Sequence, residues 1–305
     1  MSVRVSVLTT TYNHEPFIAQ NIIGVLAQQT DFAIEQIIGE DCSTDGTRAV
    51  VEYFWRQRPD VLKPILRDRN VGRRQNFIEC FHACQGDYIA IVEGDDYWTA
   101  ARKLQIQADF LDANPDIAIC FHALEHRYED GSQPPRINRR SRSRYTLDDL
   151  LAGNVVPTCT VLFRNHLFDE FPAWFADVPA GDWPLQVLNA QHGDIGYIDA
   201  VMAVQRIHSG GVWSPKPASE RRESMVSILK TFRDNLDPRN RPVLEQNIAR
   251  WQFKVLNALL IEGRYAAAGR YGLDLLLHPD VSRAELLRAA GWASRARSDV
   301  GSRPD

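Results

Sequence analysis

The chain has 305 residues, 44% hydrophobic and 24% charged, which is the balance of a folded globular protein and excludes wholesale disorder. Its 35 basic and 39 acidic residues leave a net charge of −4, which argues against a globally basic polymer-binder. No apolar run approaches the roughly 18 residues a membrane span needs, and Met1-Ser2-Val3-Arg4 leads straight into an apolar strand rather than a charged-then-hydrophobic leader.

In chain order, the first half reads as alternating strands and helices. Val3–Thr9 is a predicted buried strand, and Pro16–Gln29 a predicted helix with Phe17, Ile18, Ile22, Val25 and Leu26 at helical spacing and Asn13 or His14 near its start. Then come a strand over Ile34–Ile38, a helix over Gly46–Arg56 entered through Ser43-Thr44-Asp45, a strand over Val61–Leu66 and a helix over Arg74–Cys84. Tyr88–Val92 and Ile117–Ala123 are further strands, with a helix over Arg102–Ala113 between them. From Tyr128 to Arg144 the pattern breaks at Gly131, Pro134 and Pro135, and a loop is expected. Regularity returns with Pro157–Phe163, a helix near Trp183–Ala190, and strands at Ile195–Ile198 and Val201–Ile207. After Pro215-Lys216-Pro217 the chain reads as helical to its end, with a helical hairpin over Asn247–Leu277 that resembles the start of a tetratricopeptide-like unit.

Such alternation predicts an α/β fold whose mostly parallel sheet is covered on both faces. Ligands of such sheets bind at the carboxyl ends of the strands. Three polar clusters fall there: Thr10-Thr11-Tyr12-Asn13, Glu40-Asp41-Cys42-Ser43 and Glu93-Gly94-Asp95-Asp96. The last is the sharpest, because neighbouring carboxylates raise each other's pKa unless a cation or donors compensate. A hard divalent cation bridging a diphosphate, Mg²⁺ or Mn²⁺, is the natural compensation, and a solvated acidic turn the plain alternative. Cys42, Cys80, Cys84, Cys120 and Cys159 form no CxxC pair, so reduced thiols in an intracellular protein are expected.

Taken together, VSVLTTTYNHE, IIGEDCSTDGT, NVG followed by Asn76, and GDYIAIVEGDDYWTAARKLQIQADFL resemble the family 2 glycosyltransferases of the GT-A fold. GDWPLQVL and VQRIHSGGVWS continue the resemblance to about residue 215, and the EGDDYW version looks like a bacterial subgroup that builds surface polysaccharides. The resemblance implies a catalytic domain over 1–215, with a donor half at 1–124 and an acceptor half at 125–215, followed by a helical region at 216–305.

It also implies roles. Thr10, Tyr12, Asp41 and Asn70 match positions that hold the nucleotide, Tyr12 by stacking on the base and Asp41 by accepting from a ring N–H, which favours a UDP-sugar or a dTDP-sugar. Asp95 matches a ribose or sugar contact, Asp96 the metal ligand, and Glu93 stands where many members carry the first Asp of a DxD motif. Gln75 replaces an Arg common at that place, leaving Arg73 or Arg74 to substitute. Asp182, in Gly181-Asp182-Trp183, matches the catalytic base of a single inverting displacement; an N-cap is its plain reading. His208 matches a further metal or diphosphate ligand. Trp183 and Trp213 could each offer a face to a sugar or equally be packing residues, with Gly210-Gly211-Val212-Trp213 a segment that closes over the donor.

The implied partners are a nucleotide-sugar donor, Mn²⁺ or Mg²⁺, and a glycan or polyprenyl-diphosphate-linked acceptor. Arg136–Arg144, with five Arg in nine residues, reads as a solvated loop or as a contact for phosphates at the inner face of the plasma membrane. It is too short, and lacks interleaved aromatics, for nucleic acid. Two other classes compete. A sugar-1-phosphate nucleotidyltransferase would want a Gly-rich basic loop after the first strand, where Thr9-Thr10-Thr11-Tyr12-Asn13-His14-Glu15 stands. A non-catalytic nucleotide- or glycan-binding relative should have lost at least one of Asp41, Asp95, Asp96, Asp182 and His208.

Overall fold

The computed structural model describes residues 2–211 and 216–277. In chain order the elements are β1 (Val3–Thr11), α1 (Ile18–Leu26), β2 (Ala33–Glu40), α2 (Thr47–Gln57), β3 (Leu62–Leu66), α3 (Arg73–Ala83), β4 (Tyr88–Ile91) and β5 (Tyr97–Trp98). Then come α4 (Lys103–Ala113), β6 (Ile117–Tyr128), β7 (Arg136–Asn138), β8 (Arg144–Tyr145), α5 (Leu147–Ala152), β9 (Leu162–Arg164), α6 (Asp182–Ala190) and β10 (Asp194–Ile207). Three helices follow: α7 (Ala218–Asn235), α8 (Arg241–Ile261) and α9 (Tyr265–Leu277).

The strands form one sheet in the order β3-β2-β1-β4-β9-β6-β10-β5, with β7 on β6 and β8 on β10. Long parallel ladders join β3, β2, β1 and β4, and join β6 to β10. Short β9 is antiparallel to both β4 and β6, so β6 and β10 point the same way as β1. The carboxyl ends of β1, β2, β4 and β10 therefore share one rim. The β-branched content of β1 and β2 suits burial on both faces. One apolar cluster gathers Val5, Val7, Ala90, Leu104, Leu111 and Leu162; another joins Ile18 and Ile22 of α1 to Ile38, Val51 and Leu62.

The described chain divides into two compact units. The first comprises residues up to Asp177 with Gly181–Ser209; the second comprises Val178–Ala180 with the described residues from Gly210 onward. In the second, α8 and α9 form the predicted helical hairpin, turning through Gly263 in the left-handed region at φ 70°. The helical prediction beyond Leu277 lies outside the described residues. Among the described residues no helix is long and apolar enough to cross a membrane.

Several expectations change. Helix α1 starts at Ile18, two residues later than Pro16, because the His14 carbonyl accepts the N–H groups of Phe17 and Ile18 in a turn that precedes it. Asn13 does not cap it: the residue is left-handed at φ 55° and its Oδ1 accepts the Thr44 N–H. The two strands at 195–207 are one, β10, with the break surviving as a register irregularity between Ile198 and Val201.

The arginine-rich run is not a plain loop. It supplies β7, which extends the β6 edge, and β8, which pairs with β10. Arg139 bonds Asp199, Arg140 donates to the Val155 carbonyl at 2.8 Å, and Arg142 reaches Asp149 at 2.6 Å. Arg144 holds both Asp116 and Asp194 at 2.6 Å. Four of the five guanidiniums thus have partners within the chain.

Candidate active site

The acidic turn rests on a rigid base. All four residues of β4 are buried, and the chain leaves it as Val92-Glu93-Gly94-Asp95-Asp96. The Gly94 N–H donates to the Thr10 carbonyl at 3.0 Å, which ties the turn to the end of β1. From α1, the buried Asn21 side chain donates to the carbonyls of Glu93 (2.8 Å) and Asp96 (3.0 Å), and its Oδ1 accepts from Gln36. With its backbone held at three points, the turn presents carboxylate oxygens of Glu93, Asp95 and Asp96 within 4.8 Å of one another.

The end of β10 closes the turn from the far side. The Arg206 backbone N–H donates to Asp96 Oδ1 at 2.8 Å, and its guanidinium donates to the Asp95 carbonyl. That guanidinium lies over the rings of Tyr97 (4.3 Å) and Phe17 (5.1 Å) and pairs with Glu129 at 3.1 Å. Two residues on, His208 Nε2 stands 3.1 Å from Asp95 Oδ2. His14 Nε2, from the loop after β1, is 3.9 Å from the same oxygen.

Burial pushes Glu93 up to about 8, and the charges of Asp95 and Asp182 add to it. Burial likewise raises Asp96 well above the carboxylate range, with Asp95 and Glu93 reinforcing it. Asp95 is the exception. Burial would raise it too, but the His208 hydrogen bond and the neighbouring His14 hold it below its ordinary value. A half-buried acid triad under such mutual repulsion, with an imidazole beside it, has the hard donor set that suits Mg²⁺ or Mn²⁺. The residues fit a divalent cation.

Beside the triad, Tyr12 is 42% exposed, leaving a ring face open at the rim. Asp41 is buried, and both its oxygens accept backbone N–H groups, from Val71 at 2.8 Å and Gly72 at 3.0 Å. Asn70 Nδ2 donates to the Asp41 carbonyl at 3.0 Å. Thr10, Tyr12, Asp41 and Asn70 thus stand along one edge of the rim, Thr10 through its carbonyl bond to the acidic turn.

Asp182 opens α6. Its Oδ2 accepts from Asn154 Nδ2 at 3.1 Å, and its own burial raises its pKa against the pull of the Trp183 N–H and the charges of Arg73 and Arg74. Because Asp182 also raises Glu93, the predicted base and the acidic turn lie within one electrostatic field. Arg74 lies 4.7 Å over the Phe175 ring, and a Cβ on Gly181 would come 1.9 Å from its Nη1, so the absent side chain makes room for that guanidinium. Burial, with repulsion from Arg73, lowers Arg74 to about 10.

Trp183 is a correction. It is 1% exposed and donates its Nε1–H to the Leu150 carbonyl at 2.9 Å, so it packs the interior and offers no face to a sugar. Every residue of α6 from Trp183 to Ala190 is buried, so the helix runs through the interior and Trp183 has no solvent-facing side to sit on. Trp213, with Val212–Pro215, lies outside the described residues.

Asn21, Arg206 and Asn154 belong to the site without having been singled out, and His14, read only as a residue near a helix start and without ligand spacing, joins them. Asn21 carried a signal: a polar residue among Ile18, Ile22 and Val25 on the buried stripe of a helix must find buried partners.

Residues 6–170 match the family model described as Glycosyl transferase family 2. Over 284 residues the chain is 34% identical to uncharacterized protein Rv1520 of Mycobacterium tuberculosis, covering 89% of this chain and 78% of the relative. It is 28% identical to the putative teichuronic acid biosynthesis glycosyltransferase TuaG of Bacillus subtilis, over 53% of this chain and 62% of that one. Abequosyltransferase RfbV of Salmonella typhimurium is 30% identical, over 54% and 46%. Among solved structures, S. aureus TarS 1-349 in complex with UDP-GlcNAc superposes with a TM-score of 0.61 at 20% identity, covering 94% of this chain and 89% of that chain. Mannosyltransferase PcManGT from Pyrobaculum calidifontis, in complex with GDP-Man and Mn²⁺, gives 0.62 at 20%, covering 95% and 86%.

Proposed function

The chain belongs to glycosyl transferase family 2, and from that premise we propose an inverting, metal-dependent transfer of a sugar from a nucleotide diphosphate to a glycan or polyprenyl-diphosphate-linked hydroxyl in surface polysaccharide synthesis. Its fold is the GT-A fold. The observation that carries the reading is the convergence of Glu93, Asp95 and His208 on one rim, with Asp182 in the same electrostatic field. The names of TuaG and RfbV support a polysaccharide setting.

The nucleotide lies on the Tyr12, Asp41 and Asn70 edge, its base stacked on Tyr12. Each Asp41 oxygen has a second lone pair beyond the one given to Val71 or Gly72, so the N3–H of uracil or thymine can be added, which suits a UDP-sugar or a dTDP-sugar. Asp95 and His208 are the principal cation ligands, with Glu93 completing the set. Asp96, which the family motif marks as the ligand, supports from within: it is 2% exposed, its Oδ1 is committed to Arg206, and Cys159 bonds its carboxylate. A divalent cation held there would offset the charge that grows on the departing diphosphate. Asp182 takes the proton of the acceptor hydroxyl as that oxygen attacks the anomeric carbon and the bond to the diphosphate oxygen breaks. Asn154 orients the carboxylate, and Arg73 and Arg74 favour its ionised form. Residues 1–124 would serve the donor and 125–215 the acceptor.

The work is placed in the cytoplasm, at the inner face of the plasma membrane when the acceptor is lipid-linked. Membrane contact through Arg136–Arg144 would have to compete with the partners that four of its arginines already hold. The test is a panel of nucleotide-sugars incubated with Mn²⁺ and scored for binding and slow hydrolysis, which needs no acceptor. Metal-dependent turnover of one UDP-sugar supports the reading; absence of binding by every donor overturns it.

A further inference from the structure

We propose that His14 is a positioning residue of the donor site, which sets the Asp95 carboxylate jointly with His208. The inference rests on the donor-site reading above. Three observations carry it.

The first is convergence. Asp95 Oδ2 receives two imidazoles, His208 Nε2 at 3.1 Å from the end of β10 and His14 Nε2 at 3.9 Å from the loop after β1. The contact to His14 is an ion-pair distance, longer than a hydrogen bond. A carboxylate flanked by Glu93 and Asp96 is pushed by both; two ring nitrogens on one of its oxygens oppose that push and limit its rotation.

The second is the construction around His14. Its backbone N–H donates to Thr47 Oγ1 at 2.8 Å, and its Nδ1 stands 3.3 Å from Thr11 Oγ1. Phe17 packs at 4.7 Å from the His208 ring and 6.5 Å from the His14 ring. The ring is fixed at one nitrogen so that the other faces Asp95.

The third is Gly94. A Cβ there would lie 2.6 Å from Thr11 Oγ1 and 2.8 Å from His14 Nδ1. Having no side chain, Gly94 leaves beside the turn the space that the Thr11 and His14 side chains occupy.

Histidine substitutions separate the two nitrogens. Asn places a polar atom near the Nδ1 position and none at Nε2; Gln reaches the Nε2 position. The assay follows free Mn²⁺ by electron paramagnetic resonance as it is titrated into protein with UDP, alongside the melting temperature without metal. His14→Asn and His14→Ala should weaken Mn²⁺–UDP binding about 10-fold or more, the usual cost of losing a supporting partner of a metal ligand. His14→Gln should restore most of it, with little change of melting temperature across the three. If the wild type binds Mn²⁺ with UDP and all three variants match it, the role of His14 is wrong while the donor-site reading stands. Recovery by Asn but not by Gln would also overturn the inference, since the Thr11 contact alone would then matter. If the wild type itself shows no Mn²⁺-dependent UDP binding, the donor-site reading falls and the inference with it.

Discussion

The Asp96 carboxylate accepts the Arg206 backbone N–H at 2.8 Å, fastening the acidic turn to β10 across 110 residues of sequence. Asp95, one residue earlier, meets His208 instead, two residues further along the chain. On the proposed reading the two adjacent acids do different work. Asp96→Asn keeps an acceptor for the N–H and removes a charge that burial disfavours, so the variant should fold and keep most of its Mn²⁺-dependent UDP affinity. Asp96→Ala leaves the N–H without its acceptor and should cost about 1–3 kcal/mol of stability. Asp95→Asn should lose the metal-dependent binding altogether. Calorimetry and thermal melts read all three; equal binding losses in Asp95→Asn and Asp96→Asn would contradict the assignment.

For Asp182, burial raises the pKa against the pull of Arg73 and Arg74. A base works only when ionised, so kcat should fall as pH drops through that raised value. Arg74→Gln removes one of the cations favouring ionisation and should move the acid limb of the pH profile to higher pH. Gly181→Ala should shift it the same way by displacing the Arg74 guanidinium. Asp182→Asn should lower transfer about 10²- to 10⁴-fold while UDP binding survives. Wild-type turnover by that variant would mean another group is the base.

Asp41 holds the loop at Val71 and Gly72 with both oxygens. Asp41→Ala should lower stability by about 1.5–3 kcal/mol, the range for a hydrogen bond to a charged group, and should weaken UDP binding through the loop it releases. Urea denaturation and a UDP titration check the two effects separately. A stable Asp41→Ala protein that has lost only UDP affinity would confine Asp41 to base recognition.

Lys103 is fully buried, donates to Gln107 Oε1 at 2.6 Å and stands 4.0 Å over the Trp98 ring. Burial lowers it from 10.5 to about 7. Between those values the unfolded chain binds the proton and the folded chain does not, so stability should rise with pH, by up to about 1.4 kcal/mol per unit. Lys103→Met should remove that slope above neutral pH. Denaturant melts between neutral and alkaline pH test it, and parallel curves for variant and wild type would refute the depressed value.

Much of this site was legible in the sequence because strand order and polarity mark a rim. Thr10–Asn13, Glu40–Asp41 and Glu93–Asp96 each follow an apolar strand, and parallel pairing brings such ends together. What was not legible is which way neighbouring side chains face. Asp95 and Asp96 are indistinguishable as letters; one meets His208 and the other the Arg206 N–H, a choice set by the end of β10 that closes on the turn. Trp183 is inward because the whole of α6 from 183 to 190 is buried, its indole N–H meeting the Leu150 carbonyl of α5. His14 and Arg206 enter through contacts with residues 81 and 111 positions away, which no local pattern announces, and the stripe that marks Asn21 as buried does not name its partners. The arginine-rich run read as a loop because charge density hides pairing: Asp116, Asp149, Asp194 and Asp199 are scattered in sequence and meet its arginines only in the fold.

The fastening of the turn to Arg206 also bears on how the protein is born. A chain leaving the ribosome completes β1, β2 and β4 early, and domains tend to fold as units from the N-terminal side. Yet Asp95 and Asp96 must wait until Arg206 and His208 have emerged before their backbone and carboxylates gain those partners. A nascent chain stalled before β10 would hold three crowded acids without the strand that organises them, so the capacity to engage a donor would arrive late in translation.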